Sequence, residues 1–135
     1  MNAITRSRVD VVLRVGIAGL ALANAYIHST LGSTMFTLNA IGFFVLAVAL
    51  VAPIAIADRA RFLTRLAVAG YAAATATGWF LFGARYDMGY LSFAIDLTIV
   101  GLALADSFIA DGSPLAIARR VVSIGARFAP HPAGA

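Results

Sequence analysis

Asn24, His28, Asn39 and Asp96 put a carboxyl, an imidazole and two carboxamides inside otherwise apolar runs, a set that could hold a proton or a small polar ligand. Asn24 and His28 are four residues apart, so on a helix they share a face. Asn24 lies one turn below His28, Asn39 one turn below Met35, and Asp96 six residues below Tyr90. At 1.5 Å per residue these counts predict one polar layer about 6 to 9 Å inside the outer membrane boundary. Arg85 and Tyr90 are expected above it, at its outer mouth. Two chemistries are open to such a layer. Its members could bond to each other and fix the register of the helices, or Asp96 could bind a proton or ligand, since an ionisable group within a membrane helix is by default a functional-site hypothesis.

The chemistry that is missing narrows the function further. There is no cysteine, which excludes disulfides, thiolate metal sites and cysteine nucleophiles. No nucleophile motif, phosphate loop or metal-ligand spacing accompanies Asp96 and His28, so the expectation is a protein that is not an enzyme and has no metal and no cofactor. The other histidine, His131, lies in the tail at the opposite side from His28, which excludes a bis-histidine haem. A net charge of +4 could suggest nucleic acid, but the arginines flank apolar runs instead of lining an aromatic face. Anionic lipid headgroups are therefore the expected partner, and nucleic acid is not.

The elements that must position these residues are membrane helices. The chain is 61% hydrophobic and only 12% charged, against roughly a quarter charged in soluble domains. Apolar runs predict spans over about 11–28, 35–56, 62–82 and 90–109, each near the length that crosses a hydrocarbon core of about 30 Å. The fold class is thus all-α: a four-transmembrane-helix bundle over residues 1–112, made of two helical hairpins, followed by a basic cytoplasmic tail over 113–135. Pro53 falls in the last turn of the second span, where a bend is tolerated. The link after it is short, so the second and third spans are expected to be antiparallel neighbours.

Nine of the ten arginines fall before the first span, around the middle link or in the tail, and Arg85 alone lies in the other loops. The positive-inside rule then puts both termini in the cytoplasm, as for a multi-pass protein of a bacterial inner membrane. Arg6 and Arg8 before an apolar stretch that ends in Ala23-Asn24-Ala25 also fit a cleaved signal peptide. Arg14 within that stretch argues against cleavage. In the tail, Leu115 to Phe128 gathers Arg119, Arg120 and Arg127 on one side of a helical wheel and Ile117, Val121, Ile124 and Phe128 on the other. This predicts a short amphipathic helix on the inner leaflet, its three arginines on lipid headgroups.

Three matched positions in the two hairpins fit an internal duplication, and in so biased a composition they fit chance as well. With Arg14 laid on Arg65, Gly19 falls on Gly70 and Gly32 on Gly83. Asn24 then corresponds to Thr75 and His28 to Trp79, which assigns the polar site to the first hairpin. Small residues mark the faces expected to pack: Gly16, Gly19 and Ala23 in the first span, and Ala69, Ala72, Ala73 and Ala76 in the third. In the fourth span Ser92, Asp96, Ala103 and Ser107 form a stripe that should face inward, whereas Asp106 is expected to be a solvated end residue.

NAYIH at Asn24 to His28, Leu31-Gly32, LNAIGF at Leu38 to Phe43, Gly70-Tyr71, WFLFG at Trp79 to Gly83, and Gly89-Tyr90 before AID together resemble uncharacterised small bacterial four-span integral membrane proteins. The resemblance implies the four-span fold and treats the polar layer as a feature of the type, but it implies no activity, cofactor or partner. Two functions stay open: a structural or accessory protein that packs as a homo-oligomer or in a larger membrane complex, and a transporter-like or ligand-binding bundle that uses the outer polar layer. The topology itself is testable. With an impermeant thiol reagent on intact cells, Ser33→Cys should react and Ser113→Cys should not; labelling at Ser113→Cys would reverse the orientation.

Overall fold

The computed structural model describes residues 3–52 and 57–126, with side chains described over 8–52 and 61–126. It is all-helical, with no strand among the described residues: α1 (Ala3–Ser29), α2 (Thr34–Val51), α3 (Ala57–Phe82), α4 (Asp87–Asp111) and α5 (Pro114–Ala126). Among the described residues, three stretches are long and apolar enough to cross a membrane: Arg8–Ser29, Thr34–Val51 and Asp87–Asp111. The third long helix is as long as these but is diluted by Ala, Gly and Thr. Pro53, Arg127, Phe128 and His131 lie outside the described residues.

Local sequence explains where the helices begin and end. Ser33 caps α2 by accepting the Phe36 N–H on its Oγ, and Ser113 does the same for α5 with Ala116. Pro114 then occupies the first position of α5, where its missing N–H costs nothing. The turns before α2 and after α4 each need a positive φ, supplied by Gly32 at 69° and Gly112 at 90°.

The four long helices form a ring in which α1 packs on α2 and α4, and α3 packs on α4. The α2–α3 edge is the thinnest, although a short link predicted close neighbours there. Tyr71 bridges it by setting its ring edge-on to Phe43, 4.9 Å between centroids, and donating its hydroxyl to the Asn39 carbonyl at 3.3 Å. Ile17, Ala21, Phe43, Ala47, Val68, Ala72, Ile99 and Ala103 fill the centre.

The faces differ in part from those expected. Gly16, Gly19 and Ala23 are exposed, and α1 instead buries Ile17, Ala21, Asn24 and His28. The stripe that α1 buries instead meets an apolar cluster and the Asp96 carboxyl of α4. Ala72 and Ala76 of α3 are buried while Ala73 is exposed. Along α4, Ser92, Asp96, Ala103 and Ser107 are all buried.

At the α3–α4 turn, Gly89 lets the backbone of α4 approach Trp79: an added Cβ would stand 2.6 Å from Nε1 and 3.0 Å from the Ala84 carbonyl. Gly89→Ala should therefore lower stability by about 1–3 kcal/mol, the range for overpacking. The unfolding midpoint in mild detergent measures this, and an unchanged midpoint would mean that the turn has slack.

Candidate functional site

Two helices each bring one polar group to Asp96 of α4. Asn24 of α1 donates Nδ2–H to Asp96 Oδ1 at 2.7 Å, and Thr75 of α3 donates its hydroxyl to Oδ2 at 2.9 Å. Ser92, one turn before Asp96 on α4, donates to Asn24 Oδ1 at 2.7 Å. Asn24 is fully buried and Asp96 is 2% exposed. Each oxygen of the carboxylate and the carboxamide thus has a partner, as burial demands. Every one of these partners is electrically neutral.

His28 stands one turn beyond Asn24, but it is not bonded to Asp96. Its Nδ1 lies 2.9 Å from the Asn24 carbonyl, which can only accept, so Nδ1 carries the hydrogen. The ring packs between Phe36 and Phe43, with centroids 5.8 and 5.9 Å away.

Three other expected members sit apart from this cluster. Asn39 is half-buried on the α2–α3 edge, and it is the Asn39 backbone carbonyl that takes the Tyr71 hydroxyl. Depth along a helix says nothing of direction: the side chains bonded to Asp96 come from α1 and α3. Arg85 and Tyr90 belong instead to an aromatic cap at the α3–α4 turn. The Arg85 guanidinium lies over the Trp79 ring at 4.6 Å and donates to the Phe80 carbonyl at 2.8 Å, while Tyr90 meets Trp79 edge-on at 5.0 Å.

A second polar cluster occupies the opposite end of the same three helices. Arg65 of α3 donates Nε–H to Asp106 Oδ2 at 2.5 Å and Nη2–H to Asp10 Oδ1 at 2.6 Å, and its Nη1 is 3.8 Å from Asp111 Oδ2. Asp10 also pairs with Arg14, and Asp111 with Arg120 of α5. Three arginines thus neutralise three aspartates. Asp106 is wholly buried, not a solvated helix end. Composition held a signal for this: in a chain so poor in charge, Asp10, Asp106 and Asp111 all fall on the arginine-rich side. Reading the arginines only as marks of orientation misses the pairing.

Of the residues expected on lipid headgroups, Arg119 is exposed. Arg120 is engaged within the protein, paired with Asp111 and stacked 4.6 Å over the buried Phe62 ring. Arg127 lies outside the described residues. Among the described residues no group of three His, Cys, Asp or Glu side chains could hold a metal. No protein-family model matches the chain, and neither a curated protein nor a solved structure matches it.

The two clusters should respond differently to substitution. Arg65→Met strands Asp10 and Asp106 with less compensation and should cost about 3–5 kcal/mol, the range for breaking a buried ion pair. Asp96→Leu removes interhelical hydrogen bonds that are worth about 1 kcal/mol in membranes. Unfolding in detergent should therefore rank Arg65→Met well below Asp96→Leu; the reverse order would make the Asp96 cluster the main tie.

Proposed function

We propose that this chain is a four-span integral membrane protein with both termini cytoplasmic, and that its role is structural or accessory, packing as a homo-oligomer or within a larger membrane complex. The fourth crossing is supported by the contacts at the two ends. Asp10 near the start of α1 and Asp106 near the end of α4 both pair with Arg65 near the start of α3. At the far end Asn24, Asp96 and Thr75 meet. Helix α3 therefore runs parallel to α1 and antiparallel to α4 over the same length. If α1 and α4 cross a bilayer, α3 crosses with them despite its lower hydropathy.

The observation that carries the structural role is the closure of the Asp96 cluster. Its buried acceptors are taken up by side chains of α1, α3 and α4, which leaves this group to fix register. The outside is apolar, with Val12, Val15, Leu38 and Phe82 well exposed, as suits contact with lipid or another subunit. In this reading the arginine-rich end faces the cytoplasm of a bacterial inner membrane, and the basic tail lies on anionic headgroups.

A second reading, binding of a proton or small ligand, is favoured by one feature: Asp96 is a carboxyl group deep among helices with only neutral partners. Reconstitution separates the two. For the structural role, vesicles holding the protein should show no more proton flux, by a trapped pH-sensitive dye, than empty ones. Native mass measurement in mild detergent should give one defined assembly, the same for Asp96→Asn. Proton flux that is abolished by Asp96→Asn in an otherwise stable protein would replace the structural reading with the binding one.

A further inference from the structure

The last helix follows a glycine turn and sets Ile117, Arg120 and Ile124, all partly buried, toward the rest of the protein. Gly112 caps α4 at φ 90° and ψ −132°, a backbone region that residues with a Cβ rarely enter. No residue of α5 is buried, and Leu115 and Val122 are well exposed. Arg120 reaches both α3 and α4, where it pairs with Asp111 and covers the Phe62 ring.

The two members of this pair face different surroundings. The Arg120 side chain is 41% exposed, whereas that of Asp111 is 7% exposed. A phosphate presented from the surface can therefore reach the guanidinium without entering the protein, and it offers the same paired-oxygen geometry as a carboxylate. Without Arg120, Asp111 would keep only the Coulombic attraction of Arg65, whose Nη1 lies 3.8 Å from its Oδ2, beyond hydrogen-bond distance. Asp111 is thus shared between a cation that can leave and one that is fixed.

We propose that α5 is a clasp that anionic phospholipid headgroups open: Arg120 exchanges Asp111 for a lipid phosphate, and the helix swings about Gly112 onto the leaflet. This rests on the reading of α5 as a membrane-surface helix and adds its regulation. Closed, the clasp keeps Arg120 within the protein and leaves Arg119 to meet the surface. Opened, it adds Arg120 to the headgroup contacts, and it passes the charge of the leaflet to the Arg65 cluster, whose Asp111 then has one cation instead of two.

The absence of cysteine makes the test direct. The full chain with Leu63→Cys and Val122→Cys, both exposed positions, is spin-labelled, and the label distance is measured in phosphatidylcholine vesicles and in vesicles rich in phosphatidylglycerol. Ten residues of helix beyond the hinge make a lever of about 15 Å, so a swing of about 40° moves Val122 by roughly 10 Å. Phosphatidylcholine should give a short, narrow distribution and phosphatidylglycerol a longer one, shifted by about that amount. Arg120→Gln should be open in both lipids, and Arg119→Gln should still be closed in phosphatidylcholine. The proposal is overturned if the wild type stays closed on phosphatidylglycerol, or if Arg120→Gln stays closed on phosphatidylcholine. Opening by inorganic phosphate in phosphatidylcholine would overturn the lipid as partner. A label at Val122 alone reports depth: if it stays out of the bilayer in Arg120→Gln on phosphatidylglycerol, the surface-helix reading fails independently of the clasp.

Discussion

A guanidinium taken out of water must be neutralised where it stands, and Arg65 meets that demand only because carboxylates from two other helices converge on it. Asp10 comes from α1, and Asp106 and Asp111 from α4. Asp10 extends the network to Arg14 on α1, and Asp111 extends it to Arg120 on α5. The ion pairs thus set which ends of the helices lie together, and from that end the rest of the ring has its direction. In lipid, where apolar surfaces gain nothing by leaving their solvent for each other, such polar ties and close packing are what can specify an arrangement.

The other end of the same three helices meets the demand without charge compensation. Asp96, Asn24, Thr75 and Ser92 satisfy each other by hydrogen bonds. Asp96 and Asp106 are ten residues apart on α4, about 15 Å along its axis. Ile99 and Ala103 lie between them within a dry core that also takes in Ile17, Ala21, Val68 and Ala72. Two polar clamps separated by an apolar plug fix the register of α1, α3 and α4 at two heights. The second helix takes part in neither clamp and is held by packing, with the Tyr71 hydroxyl on its backbone.

The matched positions of the two hairpins gain a physical meaning from these contacts. Arg14 and Arg65 correspond in sequence and both bond to Asp10; Asn24 and Thr75 correspond and one bonds to each oxygen of Asp96. Matching positions of the two hairpins therefore face the same acidic groups. The polar site does not belong to the first hairpin alone, as the lack of a second Asn had suggested, because a threonine hydroxyl does the same work as the amide. What differs between the hairpins is the returning helix. The acids stand on α4, while α2 carries no acidic residue.

By itself the sequence determined the helical class, the number and approximate limits of the long helices, and the inward stripe of Ser92, Asp96, Ala103 and Ser107, because periodicity and hydropathy act along one helix at a time. It also singled out Asn24 and Asp96, whose polarity is conspicuous in apolar runs. Only the tertiary structure decided which polar groups meet. Asn39 stands on the α2–α3 edge, where its backbone carbonyl takes the Tyr71 hydroxyl. Asp106 is near a helix end yet is buried, and Gly16 and Gly19 are small yet exposed. The physical reason is common to all of these: spacing along a chain fixes height and phase within one helix, whereas contact depends on the order of helices around the ring, which is set by the pairing of charges and hydrogen bonds between them.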